Sequence, residues 1–283
     1  MIVVEQTGPL ALITDKGRPG LAHLGVSASG AADLTAYELG NRLIGNAPRS
    51  AAVEITAGGF QISVDALTWV AVTGAPTQVR VNSTPTASHT PIVLGAGDTL
   101  RVNAPPLGLR NYLCVRGGLR CPRTLGSRST DTLSGLGPAP LRAGDRLQVG
   151  VPTKDMPGID LVAPNQPRKE LEVDPGPRRD WFTEQAWRRL IGTAWSVTND
   201  CDRVGVRLSG ARLPRAVEGE LPSEGLVRGA IQVPASGQPL IFLADHPVTG
   251  GYPVIAVLTR RDADHAGQLR PGDEVRFRAR HRS

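Results

Sequence analysis

The chain has 283 residues, 40% of them hydrophobic and 20% charged, a balance that supports a sizeable folded core and argues against a disordered or membrane-embedded chain. Its net charge of +6 owes much to Arg276, Arg278, Arg280 and Arg282, and only 4% of residues are aromatic, so the sequence offers no basic surface interleaved with stacking rings and excludes nucleic acid as a partner. No apolar run approaches the roughly 20 residues of a membrane-spanning helix, the longest being Leu67–Val72, and Met1–Glu5 lacks the pattern of a secretory leader; a cytoplasmic protein with no membrane partner is expected.

The 33 glycines and 24 prolines are spread along the chain and punctuate short β-rich runs. In chain order, strands are predicted over Leu10–Thr14, Phe60–Val64, Thr68–Thr73, Gln78–Asn82, Tyr112–Arg116, Ile231–Pro234 and Pro239–Leu243. One short helix is expected to begin just after Ser29-Gly30, with Ala32, Ala36, Leu39 and Leu43 on one face, and to stop at Gly45-Asn46. A second is expected from Thr183 as cap to Gly192, with Trp187, Leu190 and Ile191 on one face. The frame Leu-x-x-Gly-Asp-x-(Leu/Val)-x-(Val/Phe) occurs at Leu94–Val102, Leu141–Val149 and Leu269–Phe277, where Gly-Asp supplies a turn and the alternating residues after it read as a half-buried strand. These signals predict a mainly β fold: an N-terminal β subdomain over 1–150, a Pro-rich linker over 151–170, a C-terminal β subdomain over 171–278 and a basic tail over 279–283.

The common catalytic signatures are missing. There is no Gly-Lys pair for a phosphate-cradling P-loop, no dinucleotide fingerprint, no H-E-x-x-H and no nucleophile elbow. The five histidines and three cysteines show no metal-ligand spacing, so no metal site is expected, and Cys114, Cys121 and Cys201 suggest no disulfide framework. None of Lys16, Lys154 and Lys169 adjoins a methionine, so no covalent biotin is expected on this chain.

The segment Thr14–Asp33 is dense in glycine, small hydroxyls and chargeable groups. It presents Asp15, Arg18 and His23 on a loop that leads to Ser29-Gly30, where the free amides of a helix N-terminus suit an anion. This run, D-x-G-R-P-G-x-x-H-x-G-V-x-x-S-G-A-x-D, resembles the opening signature of the allophanate hydrolase subunit 2 family of biotin-dependent carboxyltransferases, which includes the 5-oxoprolinase C subunit and KipA-like proteins. The resemblance continues through Asn41–Asn46, Ala52–Thr56 with Glu54, Leu125–Gly137, Asp202–Leu208, Ser223–Pro234 and Thr249–Pro253 to Leu269–Asp273. Val204 stands where the family more usually has methionine, Ala28 stands where it has proline, and Asp245–Thr249 lacks its glutamine and one threonine.

The resemblance implies two cyclophilin-like β-barrel subdomains with a few short helices. It further implies one component of an ATP-dependent lactam hydrolase that opens 5-oxo-L-proline to L-glutamate, a component inactive alone. The partners would be a B-type 5-oxoprolinase subunit, similar to allophanate hydrolase subunit 1 and KipI-like proteins, and an A-type subunit of the LamB/YcsF kind, with ATP shared in the assembly. On that reading Arg18, Ser127, Arg128, Ser129 and Thr130 are candidate binders of phosphate or substrate carboxylate, since arginine grips such groups bidentately and hydroxyls add donors. Asp15, Glu54 and Glu224 are candidate acid or base groups, whereas Asp131 reads rather as a cap of its own loop. His23, Ser29, Gln232 and Tyr252 complete the candidate binding set, Tyr252 as an aromatic at a pocket mouth. Two alternatives stay open: a carboxyltransferase component of a urea or amide carboxylase, and a non-catalytic antagonist of a kinase inhibitor that is itself similar to allophanate hydrolase subunit 1.

Overall fold

The structure, a computed structural model, describes residues 1–158, 161–164, 166 and 168–280. The chain divides into two compact units. Unit 1 comprises Met1–Arg18, Ser29–Asp131 and Gly135–Gln166, and unit 2 comprises Pro19–Ala28, Thr132–Ser134 and Pro167–Ser283. The expected basic tail lies partly outside the described residues. The described part of the expected linker as far as residue 166 belongs to unit 1, where Lys154 O accepts from Arg116 Nη2 at 2.8 Å and Val162 N donates to His89 O at 3.0 Å.

In unit 1 the chain forms β1 (Ile2–Thr7), β2 (Leu10–Thr14), helix α1 (Leu34–Leu43), β3 (Ala52–Thr56), β4 (Phe60–Val64), β5 (Thr68–Gly74) and β6 (Val79–Val81). It continues with β7 (Thr84–Thr86), β8 (Pro91–Leu94), β9 (Thr99–Val102), β10 (Arg110–Val115), β11 (Leu119–Arg120) and β12 (Arg146–Val149). These strands build two sheets of order β11-β12-β1-β4-β9-β6-β7 and β2-β3-β10-β5-β8. Period-two alternation explains their packing. Phe60, Ile62 and Val64 are buried while Gln61 and Ser63 between them are not, and the buried side chains join those of Ile13, Val53 and Ile55 in one core. All of β10 is buried, because the sheet is covered on both faces. Leu113 and Val115 enter that core, whereas Tyr112 and Cys114 pack with Tyr37, Leu43 and Ile44 at helix α1. Gly40 allows the close approach: a Cβ there would lie 2.7 Å from Cys114 Sγ and 2.8 Å from Thr73 Oγ1.

Unit 2 contains β13 (Glu170–Pro175), helix α2 (Glu184–Gly192), β14 (Ala194–Cys201), β15 (Gly205–Ser209), β16 (Glu224–Gly225) and β17 (Ala230–Gln232). It ends with β18 (Leu240–Phe242), β19 (Thr249–Gly250), β20 (Val254–Leu258), helix α3 (Arg260–Ala266) and β21 (Glu274–Ala279). Seven of these strands close a barrel of order β13-β20-β17-β18-β15-β14-β21, and β16 pairs with β19 as a separate ribbon. The barrel closes through β21, which runs parallel to β13 and antiparallel to β14. Trp195, fully buried in its core, donates from Nε1 to Leu190 O of α2 at 3.1 Å, which ties that helix to the barrel.

The fold is mainly β, as the sequence implies, and the closed ring of strands is that of unit 2, while unit 1 distributes its strands over two sheets. The repeated Leu-x-x-Gly-Asp frame is one turn used three times. Asp98, Asp145 and Asp273 accept from the backbone N of Gly95, Arg142 and Arg270 at 2.7, 2.8 and 3.1 Å, with Gly97, Gly144 and Gly272 at φ of 87°, 92° and 85°. Helix α1 starts later than its sequence signal: Asp33 is the N-cap and accepts from Ala36 N, so Ser29-Gly30 lies ahead of the helix. Helix α3, Arg-Arg-Asp-Ala-Asp-His-Ala, carries no apolar period and is set by the Thr259 cap and by burial of Ala263 and Ala266.

Candidate functional site

In unit 1, β2 delivers Thr14 and Asp15 to the loop 124–131, and the Asp15 carboxylate is saturated there. Its Oδ1 accepts from Gly17 N at 2.7 Å, Ser127 Oγ at 2.6 Å and Ser129 Oγ at 3.0 Å, and its Oδ2 accepts from Arg128 N at 2.7 Å. Asp15 N donates in turn to Ser129 Oγ at 2.8 Å. The Arg18 guanidinium is buried and donates to the carbonyls of Ser129 and Thr124, with Nη1 left 4.0 Å from Asp131 Oδ2. Arg128 Nε donates to Cys121 O at 2.8 Å, Ser29 Oγ to Thr130 O at 3.2 Å and Thr130 Oγ1 to Pro138 O at 2.8 Å. The candidate anion binders are thus brought together, mostly on protein acceptors though Arg18 Nη1 has no hydrogen-bond partner among the described residues, and the arrangement fixes two loops against one carboxylate.

Glu54 lies on β3 directly opposite Tyr112 on β10 and is 1% exposed. Its Oε2 accepts from Ala32 N and from the Tyr112 hydroxyl, each at 2.9 Å, and Oε1 lies 3.5 Å from Arg110 Nε. The Tyr112 oxygen accepts from Asp33 N at 2.7 Å, so this network holds the lead-in to α1. Burial and then the neighbouring Glu54 charge push the Tyr112 phenol well above its ordinary range, which keeps it a protonated donor.

The solvent-reached candidates belong to unit 2. Glu224 on β16 is gripped bidentately by Arg178, whose Nε lies 2.8 and 3.0 Å from the two carboxylate oxygens and whose Nη2 also donates. The Arg178 hydrogen bond lowers the Glu224 pKa, so at neutral pH this carboxylate is an acceptor and not an acid. The ribbon sets Glu224 opposite Gly250, and a Cβ at Gly250 would fall 2.8 Å from Gln232 Nε2, which donates to Tyr252 O at 2.8 Å. Tyr252 itself is half exposed, and His23 is exposed on a 3-10 turn at Ala22–Leu24. Glu224, Gln232 and Tyr252 are therefore linked through one ribbon, whereas Asp15, Glu54 and the 127–130 loop form buried networks of unit 1.

Two unit 2 arginines escaped the sequence reading of the site. Arg178 sits in Pro-Gly-Pro-Arg-Arg, a segment with no periodicity to mark it. Arg203 lies within a block that carries the family resemblance, and its buried guanidinium meets Asp245 through Nε and Nη2 at 2.9 and 3.0 Å. Thr132 N and Oγ1 donate to the same carboxylate at 2.9 and 2.8 Å, so the missing glutamine and threonine of the 245–249 segment do not leave Asp245 unpaired. Among the described residues no group of His, Cys, Asp and Glu is arranged to hold a metal ion.

Residues 24–279 match the family described as carboxyltransferase domain, subdomain A and B. The chain is 32% identical to the 5-oxoprolinase C subunit of Escherichia coli (strain K12) over 280 residues, covering 98% of this chain and 90% of that one. It is 30% identical to the urea amidolyase of Saccharomyces cerevisiae, over 92% of this chain but only 16% of that much longer protein. Among solved structures, TTHA0988 superposes with a TM-score of 0.89 at 34% identity, this chain spanning 55% of that one. The K. lactis urea amidolyase superposes with a TM-score of 0.90 at 29% identity, and the chain spans 18% of it. The matched range takes in Glu54, the 124–131 loop and the unit 2 motifs from Asp202 to Asp273, whereas Asp15, Arg18 and His23 precede it, and the chain belongs to the carboxyltransferase-domain family, subdomains A and B.

Proposed function

We propose that this chain is the C-type subunit of a multi-subunit, ATP-dependent 5-oxoprolinase. The observation that carries this reading is coverage: the chain accounts for 90% of a free-standing 5-oxoprolinase C subunit and for 16% of a urea amidolyase. The partners are a B-type, KipI-like subunit and an A-type subunit of the LamB/YcsF kind, with ATP shared in the assembly. A lactam is a resonance-stabilised amide, and phosphorylation of its oxygen by ATP, with ADP leaving, makes the ring carbon electrophilic. Water then adds there, the ring C–N bond breaks, phosphate departs with the former lactam oxygen, and a second water supplies the remaining hydroxyl of the new carboxylate.

In this reading Arg178 holds the substrate carboxylate, exchanging Glu224 for it as one bidentate partner for another. The displaced, ionised Glu224 is then free to accept a proton, and Tyr252 contributes apolar area and a hydroxyl. The test is ATP-dependent glutamate release from 5-oxo-L-proline by the three co-expressed proteins, with each omitted in turn. Activity lost on omission of this chain supports the assignment; three folded proteins without activity overturn it. Arg178→Gln is expected to raise KM by about 10-fold or more with a smaller change in kcat, since a charge-assisted bidentate pair is removed.

The family description favours one second reading, a carboxyltransferase component of a urea or amide carboxylase. Carboxylation of an amide nitrogen that requires this chain together with a biotinylated partner would establish it.

A further inference from the structure

Unit 1 contains a cleft of about 490 Å³ that the preceding chemistry does not use. Its base rests on the nearly buried Ile13, Leu119 and Leu141, its accessible apolar lining is Pro138, Ala139 and Pro140, and Cys121 stands in its wall. Its mouth carries three exposed arginines, Arg120, Arg142 and Arg146, against one carboxylate, Asp145. That carboxylate already accepts from Arg142 N at 2.8 Å within its own turn. Among the described residues, no hydrogen bond or ion pair engages the guanidinium groups of Arg120 and Arg142. The cleft wall is fixed in place, because Arg128 Nε holds the Cys121 carbonyl while Arg128 N is bound to Asp15. A cleft of this size that sets accessible apolar groups beside planar cationic ones has the composition of a small-ligand site.

We propose that this cleft binds a small amphipathic anion, its apolar body against Pro138, Ala139 and Pro140 and its carboxylate or phosphate head between Arg120 and Arg142. The inference concerns unit 1 alone and does not depend on the activity assigned to the assembly. Cys121 provides the readout. It is half-buried, and burial pushes its thiol up while the neighbouring Arg128 pulls it down, so alkylation is slow enough to follow at mildly alkaline pH. Cys201, also half-buried but belonging to unit 2, is the internal control, and Cys114 is fully buried.

The experiment follows iodoacetamide modification of each cysteine in the full chain by peptide mass spectrometry, in the presence of octanoate, octyl phosphate or neutral octanamide. Saturable protection of Cys121 but not Cys201 is expected from one or both anions, half-complete at about 1 mM for ligands of this size. Which anion protects at lower concentration identifies the head group. In the Arg120→Gln/Arg142→Gln double variant the required concentration is expected to rise at least about tenfold, with Cys201 reacting as before. The proposal is overturned by protection that never saturates, by equal protection from octanamide, by parallel slowing of Cys201, or by unchanged protection in the double variant.

Discussion

Asp15 illustrates how a residue with the features of a catalytic acid becomes an organiser. Its two oxygens accept four donors from Gly17, Ser127, Arg128 and Ser129, so its neighbours require acceptors on both sides of the carboxylate. Asp15→Asn turns one oxygen into a donor that faces donors, and a loss of about 2 to 4 kcal/mol in urea unfolding is expected. Asp245 is the unit 2 counterpart. Arg203→Met leaves its buried charge without the bidentate partner and is expected to cost about 3 to 5 kcal/mol in the same measurement. Burial lowers the pKa of both His89 and His265, so each binds its proton less readily when folded than when unfolded. Their contribution to stability is present above about pH 6.5 and is lost as pH falls below it towards the depressed folded pKa. His89→Asn keeps a residue that tolerates the φ of 60° at this position, and should shrink the fall in urea midpoint between about pH 7.5 and pH 5. An undiminished fall would place the acid sensitivity elsewhere.

At the scale of elements, local chemistry accounts for most boundaries. Thr183 caps α2 by accepting from Ala186 N at 3.0 Å, and Thr183→Ala is expected to lower stability by about 1 kcal/mol. The Gly-Asp turns were legible because each needs a glycine at positive φ and an acceptor one residue later, and both requirements are written in the sequence. Strands such as Phe60–Val64 were legible through alternation. Helix α3 was not, since a seven-residue segment of mainly charged side chains has no apolar stripe, and its burial comes from packing against β13 and β20. Gly250 shows the same limit at the ribbon: the T-G-G-Y-P pattern was visible, but the side-chain tips it approaches, Gln232 Nε2 and Leu226 Cδ1, come from earlier in the chain.

At the scale of the whole molecule, β21 decides whether the barrel of unit 2 closes, since it alone bridges β13 and β14. A chain ended after Asp273 should therefore expose unit 2 to limited proteolysis, while protected fragments of unit 1 survive; equal resistance of both units would show that the barrel closes without this strand. By itself the sequence determined the mainly β class, the positions of the turns and the family, because alternation, glycine at positive φ and ordered motifs are local properties of the chain. Only the tertiary structure decided which polar residues meet. Asp15 and Ser127 are 112 positions apart, Arg178 and Glu224 are 46 apart, and Arg203 and Asp245 are 42 apart. Whether a carboxylate is saturated by backbone donors, gripped at the surface or buried with a guanidinium depends on how strands distant in sequence are brought side by side, and periodicity along one chain carries no record of that pairing.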